Sequence, residues 1–268
     1  MEVPFSRWYE VISRRRSRRR FSNRPIEPAA LENMEHVCRD FRPFPCVRAV
    51  LVTESPEQVF KGAIGPYGKI KGTHSFVAFI GDTSDHNVNE KLGYLGEGII
   101  LEATALYLDT CWVGGFFRPD IVSRLVNTTK NERVFAITPV GYVETQQSLE
   151  ERAMTGFGLT HRRKPLSALV TGLPAGDWPE WARHALEASR LAPSALNRQP
   201  WRFHVEKDNI MVSIDHQGRE FNISKRLDCG IAMMHIEVAA LESGLQGKWA
   251  FLESPNVARF TVCQSQSS

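Results

Sequence analysis

The chain lacks any uninterrupted apolar run near the ~20 residues that a membrane-spanning helix requires. That excludes a helical membrane anchor within these 268 residues. Cysteine is scarce: Cys38, Cys46, Cys111, Cys229 and Cys263 are odd in number, scattered, and never paired as C-x-x-C. That pattern argues against a disulfide framework or a zinc site, and a reducing cytoplasm is the simplest compartment. The eight histidines lack the H-E-x-x-H spacing of a zinc helix. Charge of one sign is nearly absent as an excess. The formal net charge is +3 and the sequence pI about 8.6. A dedicated nucleic-acid binder carries a stronger basic balance. What remains is a soluble chain with 42% hydrophobic content, enough for one large core or two small ones.

Against this even background one stretch stands out. Ser13 to Phe21 reads SRRRSRRRF, with Arg14, Arg15, Arg16, Arg18, Arg19 and Arg20 flanking Ser17. Guanidinium groups stay charged and carry five donors each, so a cluster needs an anionic complement or full solvation. The complement could be nucleic acid, a membrane surface or a phosphate on a small ligand; a solvated basic face is the fourth option. Because the positive charge is local, a small anionic ligand is favoured over a polyanion. Ser22-Asn23-Arg24-Pro25 follows where a twin-arginine export signal needs an apolar region. Glu2 and Glu10 speak against a mitochondrial transit peptide.

The spacing of Phe5, Trp8, Tyr9 and Ile12 predicts a first helix over Phe5–Arg14, and Leu31, Met34 and Val37 a second over Glu27–Cys38. Val47–Thr53, Ser75–Gly81 and Val134–Gly141 read as strands. The glycine-rich Ser55–Thr73 and Gly156–Lys164 read as loops, and Asp82–Asn89 as a polar linker. Leu92–Leu108 reads as a central buried helix. The later chain repeats this order: a helix at Pro179–Leu191, strands at Phe203–Val205 and Ile210–Ile214, a long helix at Asp228–Leu245, and a strand at Ala258–Cys263. Gly93 to Trp112 lies over Gly230 to Trp249, matching Gly93 with Gly230, Ile99 with Ile236, Ala103 with Ala240, Leu108 with Leu245 and Trp112 with Trp249. Pro45-Cys46-Val47-Arg48 lies over Pro200-Trp201-Arg202-Phe203. A repeat of this kind reads either as chance likeness of two α/β segments or as a duplication that mimics a two-fold dimer.

Several segments resemble one family. Arg15-Arg16-Ser17-x-Arg19 followed by Phe21 is similar to the R-R-S-x-R opening of the FMN-dependent nitroreductases. Pro193-Ser194-Ala195-Leu196-Asn197-Arg198-Gln199-Pro200-Trp201 resembles that family's P-S-S-x-N-x-Q-P-W loop. Thr110 to Phe116 is similar to the turn ending the family's long helix, and Arg163-Lys164-Pro165-Leu166 to its late R-K-P-L. The first half keeps the arginine motif, and the second keeps the P-S-x-x-N-x-Q-P-W loop, whose first-half counterpart is Phe41 to Cys46. This split resembles the single-chain, tandem-repeat branch of the family. The fold it implies is α+β, a nitroreductase-like three-layer α/β/α arrangement of two fused halves mimicking the family homodimer. The halves are residues 1–175 and a shortened 176–268, together one compact unit.

The resemblance implies one FMN per chain, with NAD(P)H as reductant and a small electron-poor acceptor, a nitroaromatic or quinone, as substrate. No nucleic acid or membrane is implied as partner, and a monomer is one expected state of a chain that already mimics a dimer. Arg15, Arg16, Ser17 and Arg19, approached by Arg162 and Arg163, would hold the phosphate, each arginine contributing roughly 1.5–3 kcal/mol. Val113, Gly114 and Gly115 would bring backbone close to the ring. Pro193, Ser194 and Ala195 would pack on its edge, and Asn197 and Gln199 would suit its polar rim. The Tyr67–Lys71 loop would lie near the pyrimidine end. Arg14, Arg18 and Arg20 read as solvated surface charge. No side chain is implied as a proton-transferring catalyst, since the cofactor carries the chemistry. The alternative is an FMN-binding protein without turnover, serving storage or regulation.

Overall fold

The computed structural model describes residues 2–54, 57–60, 70–143, 162–218 and 223–263. The first part runs α1 (Phe5–Ile12), α2 (Pro28–Asp40), β1 (Val47–Val52), β2 (Phe76–Asp82), α3 (Val88–Ala105), β3 (Asp109–Thr110), α4 (Pro119–Leu125) and β4 (Glu132–Gly141). The later part runs β5 (Val170–Gly172), α5 (Glu180–Arg190), β6 (Trp201–Val205), β7 (Asn209–Ile214), α6 (Lys225–Glu242), β8 (Gly247–Phe251) and β9 (Asn256–Val262). The fold is mixed α+β. Among the described residues no helix is long and apolar enough to cross a membrane, and all five cysteines are free thiols.

Two sheets organise the chain. The first has the order β1-β2-β4-β3, and the second β5-β6-β7-β9-β8. Apart from β5, the second sheet repeats the first strand for strand, with every neighbouring pair antiparallel. Even the irregularities coincide. The ladder of β2 with β4 slips after Phe79, and that of β7 with β9 after Val212, the fourth residue of each strand. β5 is the exception: it joins the edge of β6 in parallel, pairing Val170 with Phe203.

The two 18-residue helices α3 and α6 pack directly on one another. Both are apolar on nearly every side, as helices must be when neighbours cover them all round. Their contact is reciprocal. A Cβ on Gly93 would lie 2.1 Å from the carbonyl oxygen of Leu227, and one on Gly230 2.0 Å from that of Glu90. Glycine is the residue that permits such backbone approach. Gly93 and Gly230 are the matched glycines of the sequence repeat, and Glu90 and Leu227 are separated by the same interval.

Layering differs between the sheets. In β2, Val77 and Phe79 enter the main core with α3, while Phe76, Ala78 and Ile80 enter a smaller core with Val122 of α4. The first sheet is therefore covered on both faces. In the second sheet Trp201, Phe203, Val205, Ile210 and Val212 face the main core. Arg202 and His204 alternate outward, and Arg259 and Thr261 are exposed. The expected α/β/α layering is thus met around the first sheet, whereas among the described residues the second has one solvent-facing side. Its alternating strands are the pattern of a half-covered antiparallel sheet.

Boundaries moved for local reasons. α3 begins at Val88, inside the stretch read as a polar linker, because Asp85 holds the Asn87 N–H at 2.8 Å and Lys91 Nζ at 2.7 Å. α6 likewise begins at Lys225, with the Ser224 hydroxyl accepting from the Arg226 N–H at 3.2 Å, an N-cap.

Candidate functional site

The arginine motif follows α1 directly. The chain leaves the helix at Ser13 and runs beside β3, where the Arg18 N–H donates to the Thr110 carbonyl at 2.8 Å. This turns Arg15 inward. Its side chain is 6% exposed and its Nε lies 3.7 Å from Glu97 Oε1. Among the described residues that Nε has no hydrogen-bond partner. Burial pushes the Arg15 guanidinium below its ordinary value, and the Glu97 charge opposes that shift. Arg16 is exposed, with Nη1 donating to the Ser13 and Arg15 carbonyls at 2.7 and 2.9 Å. Ser17 bridges to Thr110, and the buried Cys111 thiol beneath feels both Arg15 and Arg19.

A second basic element converges on the first. Arg163 is pushed down to about 10, by burial first and then by the charges of Arg15, Arg16 and Arg190. Arg163 thus feels the guanidinium charges of Arg15, Arg16 and Arg190, with Glu97 as a counter-charge and Arg190 itself paired to Glu187 at 2.9 Å. Like charges so gathered favour an anion among them.

The 193–199 loop builds the other wall. Asn197 Oδ1 accepts from Arg163 Nη1, and Asn197 Nδ2 donates to the Arg162 carbonyl at 2.9 Å. Gln199 accepts the Lys164 N–H at 2.8 Å and donates to the Arg162 carbonyl at 2.9 Å. These two amides therefore hold residues 162–164 in place, a task the sequence reading did not give them. Ser194 Oγ accepts from the Gln199 N–H at 2.9 Å, and the Ala195 N–H donates to Asp228 Oδ1 at 3.0 Å. Leu196, Asn197 and Gln199 adopt φ of 53°, 54° and 48°. Three non-glycine residues in the left-handed region within four positions mark a loop held against its own preference. Pro193 is buried beneath it, and Leu196 is 57% exposed.

Val113 pairs with Ile137 through two 2.9 Å backbone bonds, which fixes the start of the glycine turn. A Cβ on Gly114 would sit 3.0 Å from the Ile223 side chain. Ile223 in turn offers its carbonyl to Arg198 Nη2 at 2.9 Å, so the turn and the 193–199 loop share a neighbour. Arg162 and Gly115 are exposed. Of the arginines expected as solvated surface charge, Arg14 is exposed and lies 5.3 Å over the Tyr107 ring, whereas Arg18 departs from that expectation, being half-buried with its buried Nε 3.7 Å from Asp109 because the chain there runs beside β3. In the Tyr67–Lys71 loop, residues 67–69 lie outside the described residues, and the Lys71 N–H bonds the Arg19 carbonyl at 3.0 Å.

Sequence reasoning missed what stands behind Arg15. Glu97 of α3 is fully buried; its Oε1 is 2.9 Å from His235 Nε2 of α6, and its Oε2 accepts from Trp112 Nε1 at 2.8 Å. His235 Nδ1 lies 2.8 Å from the Ala188 carbonyl. A buried glutamate in the central helix was the one available signal. A separate cavity of about 440 Å³, lined among others by Phe5, Phe41, Tyr94 and Glu237, contains none of the expected residues.

Comparison with known proteins adds the following. A family model described as "Putative TM nitroreductase" matches residues 7–240. No curated protein matches the chain. The solved structure of a putative nitroreductase from Thermotoga maritima MSB8 aligns over 95% of this chain and 93% of its own, at TM-score 0.65 and 21% identity, a likeness of fold. A nitroreductase family protein from Clostridium difficile 630 covers 60% of this chain and 94% of its own at TM-score 0.43 and 22% identity. An FMN-dependent nitroreductase from Clostridium difficile R20291 covers 57% and 98% at TM-score 0.42 and 15% identity.

Proposed function

Since the chain belongs to the "Putative TM nitroreductase" family, we propose that it is an FMN-binding oxidoreductase with one composite site per chain. The observation that carries this reading is the arginine cradle. A buried Arg15 Nε with no hydrogen-bond partner among the described residues and an Arg163 opposed by three like charges fit a phosphate of nearly two negative charges. Bound there, FMN would supply two-electron chemistry, drawing on NADH or NADPH and reducing an electron-poor acceptor such as a nitroaromatic or quinone. Arg15, Arg16, Arg19 and Arg163 would hold the phosphate, with Ser17 as hydroxyl donor and Arg162 at the rim. Val113, Gly114, Gly115, Pro193, Ser194 and Ala195 would form the walls of the ring site. Asn197 and Gln199 would act by fixing Arg163.

We read the chain as a pseudo-dimer of residues 1–175 and 176–268. The repeated strand order, the matching ladder slips and the reciprocal Gly93 and Gly230 contacts support this. A two-fold contact makes each patch meet its own counterpart, which is the pattern those glycines follow. That one FMN site and not two is present is supported by the place that matches Gly114 and Gly115 in the repeat, residues 251 and 252. There Phe251 stacks edge-on with Phe44 at 5.5 Å, beneath Lys91 Nζ at 5.0 Å. The five free thiols support a reducing compartment.

The test is direct. Purified protein should be yellow, and the ligand released on denaturation should have the mass of FMN. Arg15→Ala should weaken FMN binding roughly tenfold or more, and Arg20→Ala far less. Colourless protein that takes up no added FMN would refute the proposal. Bound flavin that neither NADH nor NADPH bleaches would replace the enzyme with a flavin store.

A further inference from the structure

The hydrogen bonds around His235 fix a proton count. The Ala188 carbonyl can only accept, so Nδ1, at 2.8 Å, carries a hydrogen. Nε2 faces Glu97 Oε1 at 2.9 Å, and that bond also needs a hydrogen. It belongs either to an imidazolium beside a carboxylate or to a glutamic acid beside a neutral imidazole. In both arrangements the pair holds one proton beyond imidazole plus carboxylate, and its net charge is zero.

Arg15 stands next to this pair. Its Nε is 3.7 Å from the same Glu97 oxygen, beyond hydrogen-bond reach, while Trp112 occupies Oε2 at 2.8 Å. Both members of the pair are fully buried, and the low dielectric there strengthens every charge that is left uncompensated. Without His235, Glu97 would be a lone buried carboxylate whose nearest cation is Arg15. With His235, the Glu97 charge is already matched. We propose that His235 is a positioning residue that neutralises Glu97 and so keeps the Arg15 guanidinium available to the phosphate of FMN. This rests on the reading of the arginine cradle as the phosphate site. It also links the cradle to the packing of α3 on α6, because Glu97 and His235 come from the two helices.

The experiment titrates FMN and riboflavin separately into full-length, flavin-free protein and follows quenching of flavin fluorescence. His235→Gln leaves Glu97 a neutral donor and an unmatched charge. FMN binding should weaken roughly tenfold or more, the scale of one charge-assisted bond. Riboflavin, which has no phosphate, should change by less than about twofold. Adding Glu97→Gln to His235→Gln removes the unmatched charge and should restore FMN affinity to within about threefold of wild type. A purely structural role would weaken both flavins alike and leave the double variant no better than the single. Either of those results overturns the proposal, as does His235→Gln with unchanged FMN affinity. Should His235→Gln fail to fold, Glu97→Gln alone decides: it should bind FMN at least as tightly as wild type, and weaker binding overturns the proposal. Wild-type protein that binds neither flavin overturns the FMN reading and this inference with it. Wild-type binding with an indifferent His235→Gln overturns this inference alone.

Discussion

Replacing Gly93 by alanine tests the helix contact on which the whole molecule closes. The new Cβ would lie 2.1 Å from the Leu227 carbonyl oxygen, 3.0 Å from its carbon and 3.1 Å from the Ile231 nitrogen. All three are backbone atoms of α6, so no side chain can swing aside. The helices must separate, and a close-packed interior resists that. Overpacking of this kind costs typically ~1–3 kcal/mol or more. Alanine returns about 1 kcal/mol of helix propensity over glycine. The net expectation is a loss of about 1 kcal/mol or more, or roughly 2–4 °C or more in melting temperature for a chain of this size. Gly230→Ala should lose a similar amount, because its Cβ would meet the Glu90 carbonyl oxygen at 2.0 Å. Gly176, with nothing within 4 Å of an added Cβ, is the control, and its alanine variant should melt within a degree or two of wild type. Thermal and urea unfolding followed by circular dichroism read all three. A Gly93 or Gly230 variant that melts at or above wild type would refute the close approach. A large loss in one and none in the other would refute the reciprocity.

Three further outcomes follow from particular side chains. Gln199→Ala leaves the Lys164 N–H without its amide partner and the Arg162 carbonyl with Asn197 Nδ2 alone. FMN titration should show binding roughly tenfold weaker, and unchanged affinity would separate residues 162–164 from the site. Glu132 is held down to about 2, chiefly by its bond to Arg48, with the Thr129 N–H helping and burial opposing. Because the folded value is depressed, this contribution is present above about pH 4.5 and is lost as pH falls toward 2, on the order of 3 kcal/mol in all. Acid unfolding of Arg48→Gln should be flatter across that window, and a parallel curve would count against the pair. Burial, then Asp85, pushes the half-buried Cys46 thiol up to about 11. At pH 8 a thiol reagent should label exposed Cys263 well before Cys46, and equal rates would contradict that environment.

Local pattern made part of this protein legible. The strands of both sheets and the two long helices carry their periodicity within a dozen residues, and the arginine run is visible as a bare density of charge. β3, β5, β8 and α4 were not read, for they are two to seven residues long and owe their state to neighbours. β5 exists because β6 offers an edge to it. The site divides the same way. Arg15 and Arg163 stand in motifs, whereas Glu97 and His235 are single polar residues in apolar helices, 138 positions apart. Arg190 looks like any charge in the last turn of a helix until the fold sets it near Arg163. Asn197 and Gln199 were recognisable as polar loop residues. Their partners depend on where residues 162–164 return, and no spacing encodes that.

The pairing of α3 with α6 also imposes a timetable on synthesis. Glu90 is fully buried and ion-paired to Arg226, which leaves the ribosome 136 residues later. At ~5–20 residues per second that interval is about seven to thirty seconds. During it the first sheet can assemble around α3, yet the face destined for α6 stays bare, with Glu90 lacking Arg226 and Glu97 lacking His235. Until α6 is made, the face of α3 that will meet it is therefore open and apolar.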